Sequence, residues 1–169
     1  AGGVSREAID GGVAALTGAI EQVPSSVSAI KVDGKRSYAR VRAGETVDLP
    51  ARPVTISSFV VEDVRTAVDE GTGVVDVDVT VVCSSGTYIR ALARDLGAGL
   101  GVGGHLTALR RTRVGGYGLD VSATLEELEP EADGAILPMA TAARATFPAR
   151  ELSQEETILL SYGKRLAVV

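Results

Sequence analysis

The strongest constraint on the fold is an alternating segment that ends at Cys83. Apolar residues occupy every second position from 75 to 83, and Asp76, Asp78 and Thr80 lie between the first four of them. Because successive side chains of a strand point to opposite faces, this period of two predicts a β-strand with one buried face. A β-branched run over residues 54–64 predicts a second strand. An acidic loop over residues 69–73 would let the two strands pair as a hairpin.

Helices are predicted on both sides of this hairpin. Before it, Ser5 can cap a helix whose apolar residues recur at four- and three-residue spacing until Pro24. That stripe is Ile9, Val13, Leu16 and Ile20. After the hairpin, a similar stripe predicts a helix that carries Arg90 and Arg94 together on another face. Its members are Ile89, Leu92, Leu96 and Leu100.

Shorter elements are predicted elsewhere in the chain. A strand over residues 28–32 precedes Asp33-Gly34, a strong turn signal, and residues 38–43 fit one or two helical turns. Glycines separate the helix after the hairpin from a short helix through Leu106 and Leu109. The remaining predictions are an extended segment over 110–119 and helices that begin at Leu125 and Ser153, the second ended by Gly163.

The charge of the chain is segregated. The formal net charge of −5 argues at first against a nucleic-acid partner. Residues 31–52, however, sum to +3 and residues 83–116 to +4, which leaves −12 for the rest of the chain. If folding brings the two basic islands together, they form a cationic face suited to phosphate. The alternative is two separate, hydrated basic stretches.

Several common kinds of site are excluded. One cysteine, Cys83, forms neither an internal disulfide nor a zinc cage, and His105 is better placed as a loop or helix-cap residue than as a catalytic one. The glycines over residues 97–104 do not follow a strand, so a dinucleotide-binding fingerprint is unsupported. No stretch of 18 apolar residues predicts a membrane span, and no signal peptide is recognisable. The single cysteine favours a reducing, cytoplasmic setting.

The segment CSSGTYIR, residues 83–90, is the most informative motif. A strand ends in small residues, and the chain turns into a helix whose start carries Tyr88 and Arg90. Such a turn can aim a phenol and a guanidinium into a cleft. The alternative is an ordinary Ser/Gly connection with an incidental surface arginine.

With the following residues 91–97, ALARDLG, this segment resembles a signature motif of the TruB family, the bacterial tRNA pseudouridine-55 synthases. Three further blocks agree with the family in order and spacing. They are QVPSSVSAIK with GKRSY at 22–31 and 34–38, ARPV at 51–54, and GHLTALRRTRVG at 104–115. The compact tail suits the bacterial branch better than the related guide-RNA-dependent synthases.

The resemblance implies the isomerisation of uridine 55 in the tRNA T-arm, without cofactor or metal. An aspartate of the family acts as nucleophile, and Arg90 would pair with it and hold it ionised. Tyr88 would line the same pocket near the uracil, and Leu109 would pack against the base or the catalytic loop. The residues implied in gripping RNA are Lys31, Lys35, Arg36 and Tyr38 on an insertion, and Arg110 and Arg111 at phosphates.

The sequence departs from the family in one respect. The aspartate belongs to a G-x-L-D-x-x-A-x-G-like motif, and no such stretch occurs here. The chain is therefore expected to be a fragment that is inactive by itself. Its expected fold is α+β, a mixed, mostly antiparallel sheet with flanking helices that lacks some of the family's strands. An unpaired sheet edge and an exposed apolar face would follow.

The expected organisation has three parts. Residues 1–129 form the C-terminal half of the catalytic domain, residues 130–138 a linker, and residues 139–169 the truncated start of a PUA-like domain. The partner is tRNA, with no membrane and no obligate protein partner inferred. The alternatives are a non-catalytic T-arm RNA-binding module or tRNA folding helper, and a degenerate gene product without RNA affinity.

Overall fold

The computed structural model describes residues 4–24, 31–32, 35–36, 42–44, 49–69, 71–129 and 136–167. The chain folds as two compact units, Ala1–Ala108 and Leu109–Val169. Within the described ranges all paired strands are antiparallel, and five α-helices accompany three small sheets. This confirms the α+β class with antiparallel pairing. The incompleteness of the sheet, the three-part organisation and the PUA-like start stay predictions.

The main sheet of the first unit has the strand order β1–β4–β5. Helix α1 (Arg6–Ala15) precedes β1 (Gly18–Gln22). Two short strands, β2 (Lys31–Val32) and β3 (Lys35–Arg36), form a separate hairpin. The long strand β4 (Arg52–Asp69) then pairs with β1 at its start and with β5 (Thr72–Cys83) along most of its length. The arrangement leaves β4 in the middle of the sheet.

The β4–β5 hairpin confirms the alternation that predicted it. Burial alternates along β5 from Val77 to Cys83, as the period of two requires. Both strands are longer at the turn than expected, because Asp69 and Thr72 are the last Cα partners. The predicted loop over residues 69–73 is therefore too long. Gly71, with φ of +80°, supplies the left-handed conformation that a tight turn needs.

The core of the first unit lies between the sheet and two helices. Val54 and Ile56 of β4 pack with Leu92 of α2 (Ile89–Gly99), and Ile9 of α1 is fully buried. Ile20 of β1, with Phe59 and other partly buried residues, packs around this cluster. Burial of each large side chain stabilises the fold by roughly 1.5–3 kcal/mol.

Helix α1 begins as predicted but ends earlier. The Ser5 side chain accepts a hydrogen bond from the Ala8 N–H at 3.2 Å, which confirms the cap. The predicted stripe through Ile20 is wrong as a single helix, because the helix ends at Ala15 and Ile20 belongs to β1. Gly18, with φ of +94°, turns the chain into the strand.

The helix predicted through Leu106 and Leu109 is absent, since residues 102–112 are irregular. A Cβ atom on Gly97 of α2 would overlap the main chain of Gly103 and Gly104. The loop therefore runs against the helix at backbone contact distance. His105 lies exposed in this loop, as the loop interpretation predicted.

In its described residues, 109–129 and 136–167, the second unit contains a small hairpin, a 3₁₀ turn and three α-helices. Strands β6 (Arg113–Val114) and β7 (Tyr117–Gly118) pair across Gly115, and a 3₁₀ turn follows over Leu119–Val121. The helices are α3 (Leu125–Leu128), α4 (Met139–Thr146) and α5 (Gln154–Ser161). The predicted helices at Leu125 and after Ser153 are confirmed, and Gly163, with φ of +70°, follows α5. In the part of the chain that the structure describes, none of the helices is long and apolar enough to cross a membrane.

Some predictions fall outside the described residues. The pairing of Lys31 with Arg36 and of Val32 with Lys35 agrees with a hairpin at the Asp33-Gly34 signal. Residues 33–34, residues 38–41 with Tyr38, and most of the predicted linker are outside the described ranges.

Candidate functional site

The signature segment forms a tight connection between β5 and α2. The Ser84 N–H donates to the Thr55 carbonyl at 2.8 Å, and Ser84 Oγ accepts from the Thr55 N–H at 3.0 Å. Thr87 Oγ1 donates to the Ser84 carbonyl at 2.9 Å, and Gly86 has φ of +85°. These bonds hold the turn against β4, so that Tyr88 and Arg90 start from a rigid support.

Gln22 is the buried polar residue of the described core, with 2% of its surface exposed. Its Oε1 accepts from the Tyr88 N–H at 2.8 Å, and its Nε2 donates to the Tyr88 carbonyl at 3.2 Å. One carboxamide thus forms hydrogen bonds to both polar groups of the Tyr88 main chain. Gln22 begins the sequence block at 22–31, but no local pattern predicts a role for it.

Tyr88 and Arg90 lie where the motif predicts, at the start of α2. Tyr88 is the N-cap residue, with extended backbone (φ −102°, ψ 103°), and its side chain is half-buried. Arg90 lies in the first helical turn and is exposed. Arg90 thus lies near the positive end of the helix dipole.

A second side chain ties α2 to the end of β1. Arg94 donates from Nη2 to the Val23 carbonyl at 2.8 Å, and its Nε donates to Asp95 Oδ1 at 2.7 Å. Gln22, through its side chain, and Val23, through its carbonyl, are therefore both hydrogen-bonded to residues of the segment that carries the candidate site. These residues lead directly to the basic segment over 31–52.

A hollow of about 450 Å³ lies beside the turn. Ser84 and Ser85 line it together with residues of β1 and β4, among them Glu21 and Thr55. A second hollow, of about 510 Å³, lies between α1 and the sheet and is lined by Val13 and other residues. Neither hollow includes Tyr88 or Arg90 in its wall, so the pocket predicted around these two residues stays a prediction.

Four described aspartates of the first unit are hydrogen-bonded to arginines. Asp10 accepts from Arg6, Asp95 from Arg94, and the pair Asp63 and Asp78 from Arg65. Among the described residues, no group of three His, Cys, Asp or Glu side chains is arranged to hold a metal ion.

The other predicted site residues are spread over the chain. Lys31, Lys35 and Arg36 belong to the β2–β3 hairpin of the first unit. Leu109, Arg110 and Arg111 belong to the second unit, where all three are exposed, Leu109 to 61%. The structure brings Tyr88 into contact with Gln22 and places Arg90 and Arg94 one turn apart on α2.

Comparison with known proteins covers nearly the whole chain. Residues 2–89 match the profile of the TruB family pseudouridylate synthase N-terminal domain, and residues 90–142 match that of the tRNA pseudouridylate synthase B C-terminal domain. The boundary between the two matches falls inside the signature segment.

Curated relatives with the name tRNA pseudouridine synthase B are similar over almost all of these residues. The protein of Streptomyces griseus is 65% identical over 167 residues, which are 98% of this chain and 55% of that protein. The protein of Paenarthrobacter aurescens is 64% identical over 97% of this chain and 51% of its own length. The protein of Thermobifida fusca is 54% identical over 97% and 55%, respectively. The chain therefore spans about half the length of the relatives it matches.

Proposed function

Because the chain belongs to the TruB family of pseudouridylate synthases, we propose that it carries the uridine-receiving part of a tRNA pseudouridine-55 synthase. The observation that supports this most directly is the turn over residues 84–90. It holds Tyr88 and Arg90 at the start of a helix that Gln22 and Arg94 anchor to the sheet. A tRNA substrate also implies the cytoplasm as the compartment.

The proposed reaction is an isomerisation. The N1–C1′ bond of the uridine breaks, the base turns, and C5 of the same base bonds to C1′ while the C5 proton passes to solvent and N1 regains one. Atoms and electrons balance without an oxidant or a group donor. The target base must leave its stack, which costs a few kcal/mol. The phenol ring of Tyr88 would offset part of this by contact with the uracil.

Arg90 acts in this scheme on a carboxylate. A guanidinium within hydrogen-bond distance favours the ionised form of an aspartate and fixes its direction. The family's nucleophile motif is absent from the sequence. We therefore propose that the nucleophile is outside these 169 residues and that the chain alone does not turn over.

Basic residues in both units would hold the RNA. Lys31, Lys35 and Arg36 would bind the T-loop from the β2–β3 hairpin, with Tyr38 beside them in sequence. Arg110 and Arg111 would meet phosphates, and Leu109 would support the base. Residues 139–169 would begin a PUA-like domain.

A chimera tests this proposal. In the Streptomyces griseus relative, the 167 matched residues are replaced by this chain, so that the relative supplies the remainder. The chimera is incubated with an unmodified T-arm hairpin, and pseudouridine is quantified beside the unaltered relative and the isolated chain.

We expect turnover by the chimera and none by the isolated chain. Turnover by the isolated chain would overturn the assignment of the nucleophile to other residues. A folded chimera that binds the hairpin without modifying it would overturn the proposed synthase and leave an RNA-binding module.

A further inference from the structure

We propose that Gln22 is a positioning residue for the uridine pocket: its buried carboxamide sets the main chain of Tyr88 and thereby the direction of the phenol ring. The inference rests on the proposed function and assigns a role to a side chain outside the signature segment. Gln22 is separated from Tyr88 by 66 positions in the sequence.

The main-chain N–H and carbonyl of Tyr88 both form hydrogen bonds with the carboxamide of Gln22. The Tyr88 N–H needs an acceptor, which Gln22 Oε1 supplies at 2.8 Å, and Gln22 Nε2 adds a donor to the Tyr88 carbonyl at 3.2 Å. The Tyr88 carbonyl also accepts from the N–H groups of Ala91 and Leu92, so it is the first acceptor of α2. Fixing this peptide therefore fixes the start of the helix as well as Tyr88.

The position of Tyr88 explains why an outside group is required. As the N-cap residue, it has a non-helical backbone, and its own side chain makes no capping hydrogen bond. Its N–H would otherwise be left without a partner beside the core, at a penalty comparable to a lost hydrogen bond. The Gln22 carboxamide satisfies this group and leaves the phenol available for a ligand.

The hydrogen bonds between Gln22 and Tyr88 also link the proposed uridine pocket to the segment that is predicted to bind RNA. Gln22 is the last residue of β1, and the following Val23 accepts a hydrogen bond from Arg94 of α2. The chain continues from there to the β2–β3 hairpin with Lys35 and Arg36. A substitution at Gln22 would therefore affect Tyr88 directly. It would affect the β2–β3 hairpin indirectly, through the segment that begins at Val23.

The substitution Gln22→Glu tests the positioning role because it should introduce a pH dependence that the parent protein lacks. A protonated carboxyl accepts through one oxygen and donates through the other, as the carboxamide does. An ionised carboxylate has no donor and places negative charge against the Tyr88 carbonyl. Because burial raises the pKa of a carboxyl, we expect the protonated form at the low end of a pH series and the carboxylate at the high end.

We expect the Gln22→Glu chimera to approach the parent chimera in kcat at low pH and to lose about tenfold or more as pH rises. Affinity for the hairpin should change less than kcat. Gln22→Met, which keeps the length but removes both polar atoms, should lose kcat at every pH. Gln154→Glu makes the same exchange at an exposed helix position and should leave the pH profile of the parent unchanged.

A second readout uses the isolated chain. Incorporated 3-fluorotyrosine labels four sites, and the resonance of Tyr88 is identified with Tyr88→Phe. In Gln22→Glu this resonance should move with the same pH dependence as kcat, whereas the parent resonance should not move in that range.

A pH profile of Gln22→Glu that matches the parent, with an unmoved Tyr88 resonance, would overturn the positioning role. An inactive parent chimera would instead count against the proposed function. If Gln22→Met fails to fold, the comparison of Gln22→Glu at low and high pH still tests the positioning role. The protonated and ionised forms are then compared in one and the same polypeptide.

Discussion

Ser84 and Thr55 exchange two hydrogen bonds at the point where the β4–β5 hairpin ends. One uses the Ser84 N–H, at 2.8 Å, and the other the Ser84 hydroxyl oxygen, at 3.0 Å. The side chain of Ser84 thus takes the place of a main-chain carbonyl and continues the ladder for one more residue. The turn that follows is anchored to the sheet before it reaches Tyr88.

Replacing Ser84 by alanine should weaken this anchor without unfolding the hairpin. Ser84→Ala keeps its N–H bond to Thr55 but leaves the Thr55 N–H to water. Since the site is exposed, we expect a loss of about 0.5–1 kcal/mol in the free energy of unfolding. Urea denaturation followed by circular dichroism measures it. Ser85→Ala is the matched control, and equal losses in both variants would contradict the special role of Ser84.

Two glycines of the same helix should respond oppositely to alanine. A Cβ on Gly97 would collide with the main chain of residues 103–104, whereas a Cβ on Gly99 would meet no atom within 4 Å. We expect Gly97→Ala to destabilise by about 1–3 kcal/mol or more, since backbone cannot rotate away. Gly99→Ala should stabilise by up to about 1 kcal/mol through the unfolded chain. A Tm change of the same sign in both would contradict the close approach of loop and helix.

The stability of the β4–β5 hairpin should decline in acid. Hydrogen bonds from the Arg65 guanidinium, at 2.7 and 3.1 Å, lower the pKa of Asp78 below its ordinary value. Because the folded-state pKa lies below the unfolded one, the stabilisation is present above the unfolded pKa of about 3.9 and is lost as pH falls through the folded value. Asp78→Asn should therefore flatten the acid limb of a plot of Tm against pH.

The control for this experiment is Asp76→Asn, which removes one charge from the same strand. Asp76 is the Cα partner of Arg65, whereas the hydrogen bonds of Arg65 in the described residues go to Asp63 and Asp78. An acid limb of the same slope in Asp78→Asn and the parent chain would show that the ion pair contributes nothing in solution.

The local patterns of the sequence predicted the elements that local forces determine. The β4–β5 hairpin follows from alternation and turn chemistry within one stretch of chain, and Ser5 caps α1 through a bond to Ala8. Helix periodicity alone, however, extended the first helix through Ile20, because a spacing of three or four does not register the positive φ of Gly18.

Long-range packing accounts for what the sequence did not predict. The helix expected through Leu106 and Leu109 is replaced by a loop whose course follows from backbone contact with Gly97. The clamp between Gln22 and Tyr88 joins positions that no local pattern connects. The one signal in the sequence was a polar residue, Gln22, next to apolar residues, and this signal does not identify Tyr88 as its partner.

The β2–β3 hairpin should contribute to RNA affinity through charge. If Lys35 and Arg36 each neutralise a phosphate, the double variant Lys35→Ala/Arg36→Ala should bind a T-arm hairpin more weakly. The slope of log K against log salt should then fall in magnitude by about 1.4, or 0.7 for each lost contact with single-stranded RNA. Filter binding at several salt concentrations measures this. An unchanged slope would place the RNA elsewhere; Lys164→Ala/Arg165→Ala is the control for general charge.

Arg90 should affect turnover more than binding. If its guanidinium orients the catalytic carboxylate, Arg90→Ala in the chimera removes an interaction with a reacting group and should lower kcat by about 100-fold or more. Affinity for the T-arm hairpin should change about threefold or less, because a single charge contact contributes little to the binding free energy of the whole RNA interface. Arg90→Lys keeps the charge without the planar fork and should recover affinity but little turnover. Equal losses of kcat and affinity in Arg90→Ala would instead make Arg90 a phosphate ligand, and the pocket assigned to Tyr88 would lose its charged partner.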